Sequence, residues 1–191
     1  MSDYVLSSYL DDMFQPERRR LIVKGMLRII LTKVGIRNFD AIAFTGISGA
    51  TIAPILAFIL DKPLIAVRKD SGAHSCYKAE GLISAEKILI IDDLIESGST
   101  IATIMAKVLE SCRVYRGAEA KLPEFIGVAL FRDTNFGLSK SENLNRKFKD
   151  NCIPSRLIEK FHLWGMYLPR GNNRTAPEFE DQALDKPENP S

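Results

Sequence analysis

The stretch ILIIDDLIESGST, running from Ile88 to Thr100, decides how this chain is read. Four aliphatic residues, Ile88, Leu89, Ile90 and Ile91, lead straight into two adjacent carboxylates, Asp92 and Asp93. An unbroken apolar run of this kind suits a central parallel strand buried on both faces. The carboxylates then stand at the strand's carboxyl end, where open α/β sheets bind ligands. Ser97, Gly98, Ser99 and Thr100 form a small, hydroxyl-rich turn, and an apolar helical pattern begins at Ile101. A helix start offers free backbone N–H groups and the positive end of the helix dipole, which together hold anions. One loop therefore supplies two acids for sugar hydroxyls or a metal-bound diol, and beside them a cradle for a phosphate. A phosphorylated ribose needs that combination.

The order of an apolar strand, two acids, three residues, Ser or Thr, Gly, any residue, then Ser or Thr resembles the signature of the type I phosphoribosyltransferases. The resemblance implies 5-phosphoribosyl 1-diphosphate (PRPP) as a ligand and Mg2+ as cofactor. It also implies that Asp92 and Asp93 face the ribose 2- and 3-hydroxyls, touching the metal only through the ribose or water. Glu96, Ser97, Gly98, Ser99 and Thr100 would surround the 5-phosphate. PRPP synthetases and regulators that only sense PRPP carry the same signature.

Composition narrows the class. The 191 residues suffice for one domain with a full core plus an appendage. The net charge is +2, with basic residues dispersed apart from Arg18, Arg19 and Arg20. That cluster opens an amphipathic pattern and reads as a solvated helix face, so no nucleic-acid partner is expected. Three scattered cysteines, Cys76, Cys112 and Cys152, lack metal-ligand spacing and suit a reducing cytoplasm. Residues 1–12 are polar and acidic, unlike a signal peptide. Residues 41–60 carry no charge and imitate a membrane span. Gly46, Gly49 and Pro54 interrupt them, so strand, glycine loop and buried helix is the preferred reading, with no membrane partner expected.

Along the chain, residues 1–15 hold aromatic and aliphatic residues that suit a short helix. Pro16 and Glu17 mark a helix start. Leu21, Ile22, Met26, Ile29, Ile30 and Val34 keep helical spacing up to Gly35. Residues 41–45 are a strand, 46–49 a loop, 50–60 a helix and 64–68 a second strand, which together make a βαβ unit. Residues 69–86 form a long polar loop of the functional kind. Residues 87–92 are the third strand, 100–112 a helix and 125–131 the fourth strand. Residues 135–151 read as polar and irregular, 153–168 as mixed and aromatic, and 171–191 as a tail without structure. The expected fold is α/β, a parallel-sheet, Rossmann-like core with a small hood from the chain ends. Residues 1–35 are a helical segment in the hood or packed on the core, 36–134 the core, 135–170 hood and remaining core, and 171–191 the tail.

The resemblance carries further residues. Thr45, Gly46, Ile47 and Ser48 follow the first strand where the family places a diphosphate-binding loop, often with a non-proline cis peptide. The sequence VRKDSGAHS after the second strand resembles orotate phosphoribosyltransferases. Arg68 and Lys69 match their Arg-Lys pair and His74 their loop histidine, while Gly72 replaces a second lysine. Lys69 and His74 could neutralise diphosphate as the loop closes, and Lys78 could replace the missing charge. Glu96 stands where oxopurine enzymes carry an acid facing the base, which makes it a candidate for proton transfer; it equally suits a helix-start acid. Arg132 could meet a carbonyl of the base. Phe131, Phe161 and Trp164 could stack on it or fill the core.

The expected function is magnesium-dependent transfer of phosphoribosyl from PRPP to a nucleobase in nucleotide salvage or synthesis. Glu96 with Arg132 ranks 6-oxopurines first, orotate second and adenine third. The alternative is a PRPP sensor without catalysis, although residues 1–35 lack the helix-turn-helix of a DNA-binding repressor. The family resemblance also implies a homodimer.

Overall fold

The computed structural model describes residues 11–69, 77–132, 138–167 and 178–183. Seven strands form one sheet. They are β1 (Ala41–Thr45), β2 (Leu64–Val67), β3 (Ala79–Gly81), β4 (Lys87–Asp92), β5 (Glu124–Leu130), β6 (His162–Tyr167) and β7 (Glu178–Ala183). Their order across the sheet is β3-β2-β1-β4-β5-β6-β7. The five central strands run parallel, and β3 and β7 close the edges antiparallel. Helices α1 (Asp11–Phe14), α2 (Pro16–Ile29), α3 (Gly46–Leu60), α4 (Ser99–Arg116) and α5 (Leu138–Asp150) complete the fold.

Alternation along the strands divides the core in two. Ile88 and Ile90 of β4 join a cluster with α4 and α5, through Ile104, Met105, Val108, Leu144 and Phe148. Leu89 and Ile91 join the other cluster, with α2 and α3, through Met26, Ile29, Ile52 and Leu56. All four β4 aliphatics are fully buried. Each such side chain contributes about 1.5–3 kcal/mol on burial, so this strand anchors both layers.

Gly127 resolves a break in that alternation. Phe125 and Val128 both face the α4 side, because the β4–β5 register shifts between Ile88 and Leu89. A bulge accommodates the extra residue. A Cβ on Gly127 would stand 2.2 Å from the His162 carbonyl oxygen and 2.5 Å from the Trp164 ring, so only glycine fits there.

Three segments depart most from the sequence reading. Residues 79–81, expected inside a loop, pair with the open edge of β2. Residues 138–150, expected to be irregular, are helical, with Ser141, Leu144 and Phe148 buried at helical spacing. Residues 178–183, expected in a structureless tail, pair with β6. That pairing satisfies backbone groups that β6 would otherwise leave at a sheet edge. The N-terminal helices pack on the core, with α2 and α3 side by side against the sheet and Met13 of α1 fully buried. No helix among the described residues is long and apolar enough to cross a membrane.

Candidate functional site

Chain order places a cleft where the sheet changes direction. After β1 the chain moves outward to β2 and β3, then returns to lay β4 on the other side of β1. The helices that follow β1 and β4 lie on opposite faces, which opens a crevice between the carboxyl ends of these two strands. The crevice holds a volume of about 340 Å³. Thr45, Ser48 and Lys69 line one wall, and Asp92 to Ile101 line the other.

The β4 wall is built largely from its own sequence. Oδ1 of Asp92 accepts the N–H of Asp93 at 3.0 Å, and Oδ1 of Asp93 accepts the N–H of Leu94 at 3.0 Å. These bonds fix both carboxylates at the cleft floor. The strand pairing continues into the loop, as the N–H groups of Phe131 and Arg132 donate to the carbonyls of Asp92 and Asp93. Asp92 is only 3% exposed. Burial first, and the Asp93 carboxylate second, push its pKa from 3.8 up to about 8, while the Asp93 N–H and the Lys69 charge pull the other way. A buried acid beside a half-buried one favours a cation or hydroxyl donors as ligands.

Beyond the acids, Ser97 Oγ donates to Ser99 Oγ at 2.9 Å and accepts the Ser99 N–H at 3.3 Å. Gly98 takes φ +77°, a left-handed conformation, at the start of α4. It supplies no side-chain cap, so beyond the Ser99 N–H, which Ser97 already holds, the first-turn N–H groups of Thr100 and Ile101 are open to an anion. Gly98 also lies against α5, because a Cβ here would sit 2.9 Å from Leu144 Cδ1 and 3.1 Å from Leu144 Cα. The phosphate-type loop is therefore backed by a helix that the sequence reading missed.

The β1 wall differs from expectation. Residues 46–49, expected as a loop, are the first turn of α3, with the bend taken by Gly46 at φ +66°. No cis peptide occurs among the described residues. Thr45 spends its hydroxyl on the Val67 carbonyl at 2.6 Å, which ties the ends of β1 and β2 together. Ile47 is exposed and lies outside the described lining of the cleft. The Lys69 side chain passes over Gly46, where a Cβ would meet Lys69 Cε at 2.9 Å and Nζ at 3.2 Å. Arg68, expected to face diphosphate, instead gives Nε and Nη2 to Glu80 of β3, at 3.1 and 2.9 Å. Lys78 pairs with Glu110 of α4 at 2.6 Å.

The remaining candidates scatter. Glu96 lines the cleft and is exposed. Phe131 and Trp164, expected against a base, are buried in the α2–α3 cluster, and Trp164 stacks on His162 with ring centroids 5.3 Å apart. Phe161 packs edge-on against Phe148 in the other cluster. All three rings sit in or directly beside buried strands and fill the core, the second of the two roles expected for them. Arg132 is half-buried, its Nη1 has no hydrogen-bond partner, and it is not among the described lining residues. His74 and Gly72 lie outside the described residues. Lys107, which sequence reasoning passed over, donates from α4 to the carbonyls of both Arg68 and Lys69. A lone lysine inside a helical pattern gives no sequence signal for such a role.

Comparison with known proteins agrees with this geometry. No family model matches the chain. A curated orotate phosphoribosyltransferase from Cenarchaeum symbiosum is 30% identical over 88 residues, covering 45% of this chain and 44% of that protein. The match thus spans less than half the length of the curated relative. Among solved structures, orotate phosphoribosyltransferase from Aeropyrum pernix aligns with a TM-score of 0.50 at 18% identity, over 76% of this chain and 74% of that one. Adenine phosphoribosyltransferase from Rhodothermus marinus aligns with a TM-score of 0.51 at 19% identity, over 74% of this chain and 81% of that one. The chain has the type I phosphoribosyltransferase fold, and its resemblance to that family extends to sequence.

Proposed function

We propose that this chain binds PRPP in the cleft and transfers its 5-phosphoribosyl group to a nucleobase, releasing diphosphate. The observation that carries the reading is one crevice at the sheet's switch point. It joins the buried Asp92 and its half-buried neighbour Asp93, the start of α4 with no side-chain cap and, opposite them, Lys69. Asp92 and Asp93 suit the 2- and 3-hydroxyls of the ribose, which would donate to the carboxylates. Residues 97–100 suit the 5-phosphate, held by backbone N–H groups and the Ser99 and Thr100 hydroxyls. Lys69 stands on the diphosphate side, where it can stabilise negative charge as the bond from C1 to diphosphate breaks. The carboxylates favour the positive charge that develops on the ribosyl ring. Glu96 is the candidate to take the proton displaced from the base nitrogen.

The donor set fits Mg2+ in its usual manner. Among the described residues no cluster of three or more metal-ligating side chains exists. Asp92 and Asp93 offer two carboxylates, each with one oxygen already bonded within the loop. Mg2+ is commonly held by one or two carboxylates together with substrate phosphates and water. When bound, it would offset charge on the diphosphate.

Orotate is the base we rank first. The matched curated protein acts on orotate by its name, and the Lys69 position supports the same assignment. The sequence alone ranks 6-oxopurines first on Glu96 with Arg132, and Glu96, which lines the cleft, keeps them second. A PRPP sensor without catalysis is the rival reading, favoured by the engagement of Arg68 with Glu80 and by Gly72. Diphosphate release with PRPP, Mg2+ and each of orotate, hypoxanthine, guanine, xanthine and adenine tests the proposal. Release dependent on one base supports it. Tight PRPP binding without release for any base moves the chain to the sensor class.

A further inference from the structure

The end of β2 poses a satisfaction problem. Beyond Val67 the strand has no further parallel partner for its carbonyls, and three in succession face inward-reaching side chains. Thr45 Oγ1 meets the Val67 carbonyl, and Lys107 Nζ meets those of Arg68 and Lys69. Lys107 is half-buried and stands on α4, the helix whose first turn forms the anion cradle. It spans from that helix to the backbone of the residue whose side chain crosses Gly46 into the cleft.

We infer that Lys107 is a positioning residue for PRPP, which fixes the Lys69 peptide so that the Lys69 ammonium faces the diphosphate. The inference rests on the PRPP reading of the cleft. Its physical basis is that an ammonium with three donors can hold two carbonyls at once, while methionine, of similar length, has no donor. A backbone held at both carbonyls leaves Lys69 fewer orientations, so less conformational entropy is lost when ligand binds. The same bridge links the two walls. The phosphate cradle opens α4 and the diphosphate-side lysine hangs from its middle, so displacement of either wall is felt by the other.

Titration of PRPP with Mg2+ into four proteins tests this: wild type, Lys69→Gln, Lys107→Met and the double variant, with thermal melts run alongside. Lys107→Met is expected to weaken PRPP binding about tenfold. Lys107→Arg, which retains two or more donors, should stay within about threefold of wild type. If Lys107 acts through Lys69, the double variant binds no worse than Lys69→Gln alone. Independent, multiplying losses in the double variant would overturn the inference while leaving the PRPP reading in place, as would wild-type binding by Lys107→Met. A wild-type protein that binds no PRPP would overturn both.

Discussion

The two walls of the cleft are built by opposite means. The loop after β4 makes its own shape: Asp92 and Asp93 each bond the next backbone N–H, and Ser97 bonds Ser99. The turn after β1 borrows its shape. Gly46 lies beneath Lys69, Thr45 bonds Val67, and Lys69 hangs from Lys107, so three separate segments meet at one corner. Even the self-made loop has one borrowed part, Leu144 of α5 behind Gly98. A self-made wall should fail when its own residues change, and a borrowed wall should yield because its neighbours can move.

The two glycines give the largest expected contrast. Gly98→Val puts a branched side chain at φ +77° against the backbone and side chain of Leu144, neither of which can swing aside. Conformational strain of roughly 1–2 kcal/mol and overpacking of roughly 1–3 kcal/mol together suggest a loss of about 3 kcal/mol. A thermal melt should then fall by roughly 6–12 °C for a chain of this size. A melt within about 2 °C of wild type would mean that α5 does not back this loop.

Asp92 offers a second contrast, one of pH. Its carboxyl titrates near 8 when folded and near 3.8 when not. Between those values the folded chain binds more protons than the unfolded chain, so stability falls as pH rises from about 4 to about 8. Melts across this range, without ligand or divalent metal, should show that decline. Asp92→Asn should flatten it and melt higher than wild type at pH 8. A wild type whose melting point rises with pH over this window would contradict the burial of Asp92.

Gly46→Ala should be the mildest change. Its Cβ would meet only the far end of the flexible Lys69 side chain. The cost is then about 1–2 kcal/mol of left-handed strain, or a melt lower by roughly 2–8 °C, with Lys69 displaced. A loss as large as that of Gly98→Val would show that the β1 wall is as rigid as its partner.

The same contrast governs what could be read from the sequence. The strand at 87–92 and the acid pair were legible because the signal is local, an apolar run meeting charge at a strand end. The βαβ unit of β1, α3 and β2 was legible for similar reasons. The three-residue strand β3 was not, since its pairing depends on the edge that β2 leaves open. Helix α5 was missed because few large apolar residues mark its buried face, among them Leu144 and Phe148. Strand β7, with the sequence EFEDQA, has only Phe179 and Ala183 as apolar residues, without the alternation of a half-buried strand, and pairs with β6. Phe131 and Trp164 show the converse. Their type suited a ligand role or a core role, and their places at the end of β5 and within β6 put both in the core.

The central claim is that the acid pair holds the ribose of PRPP. Titration calorimetry of PRPP with Mg2+ into wild type and into a folded Asp92→Asn/Asp93→Asn variant tests it most directly. Two charge-assisted hydrogen bonds at about 1.5 kcal/mol each predict roughly 100-fold weaker binding by the variant. A variant that keeps its circular dichroism spectrum and binds PRPP as tightly as wild type would contradict the account.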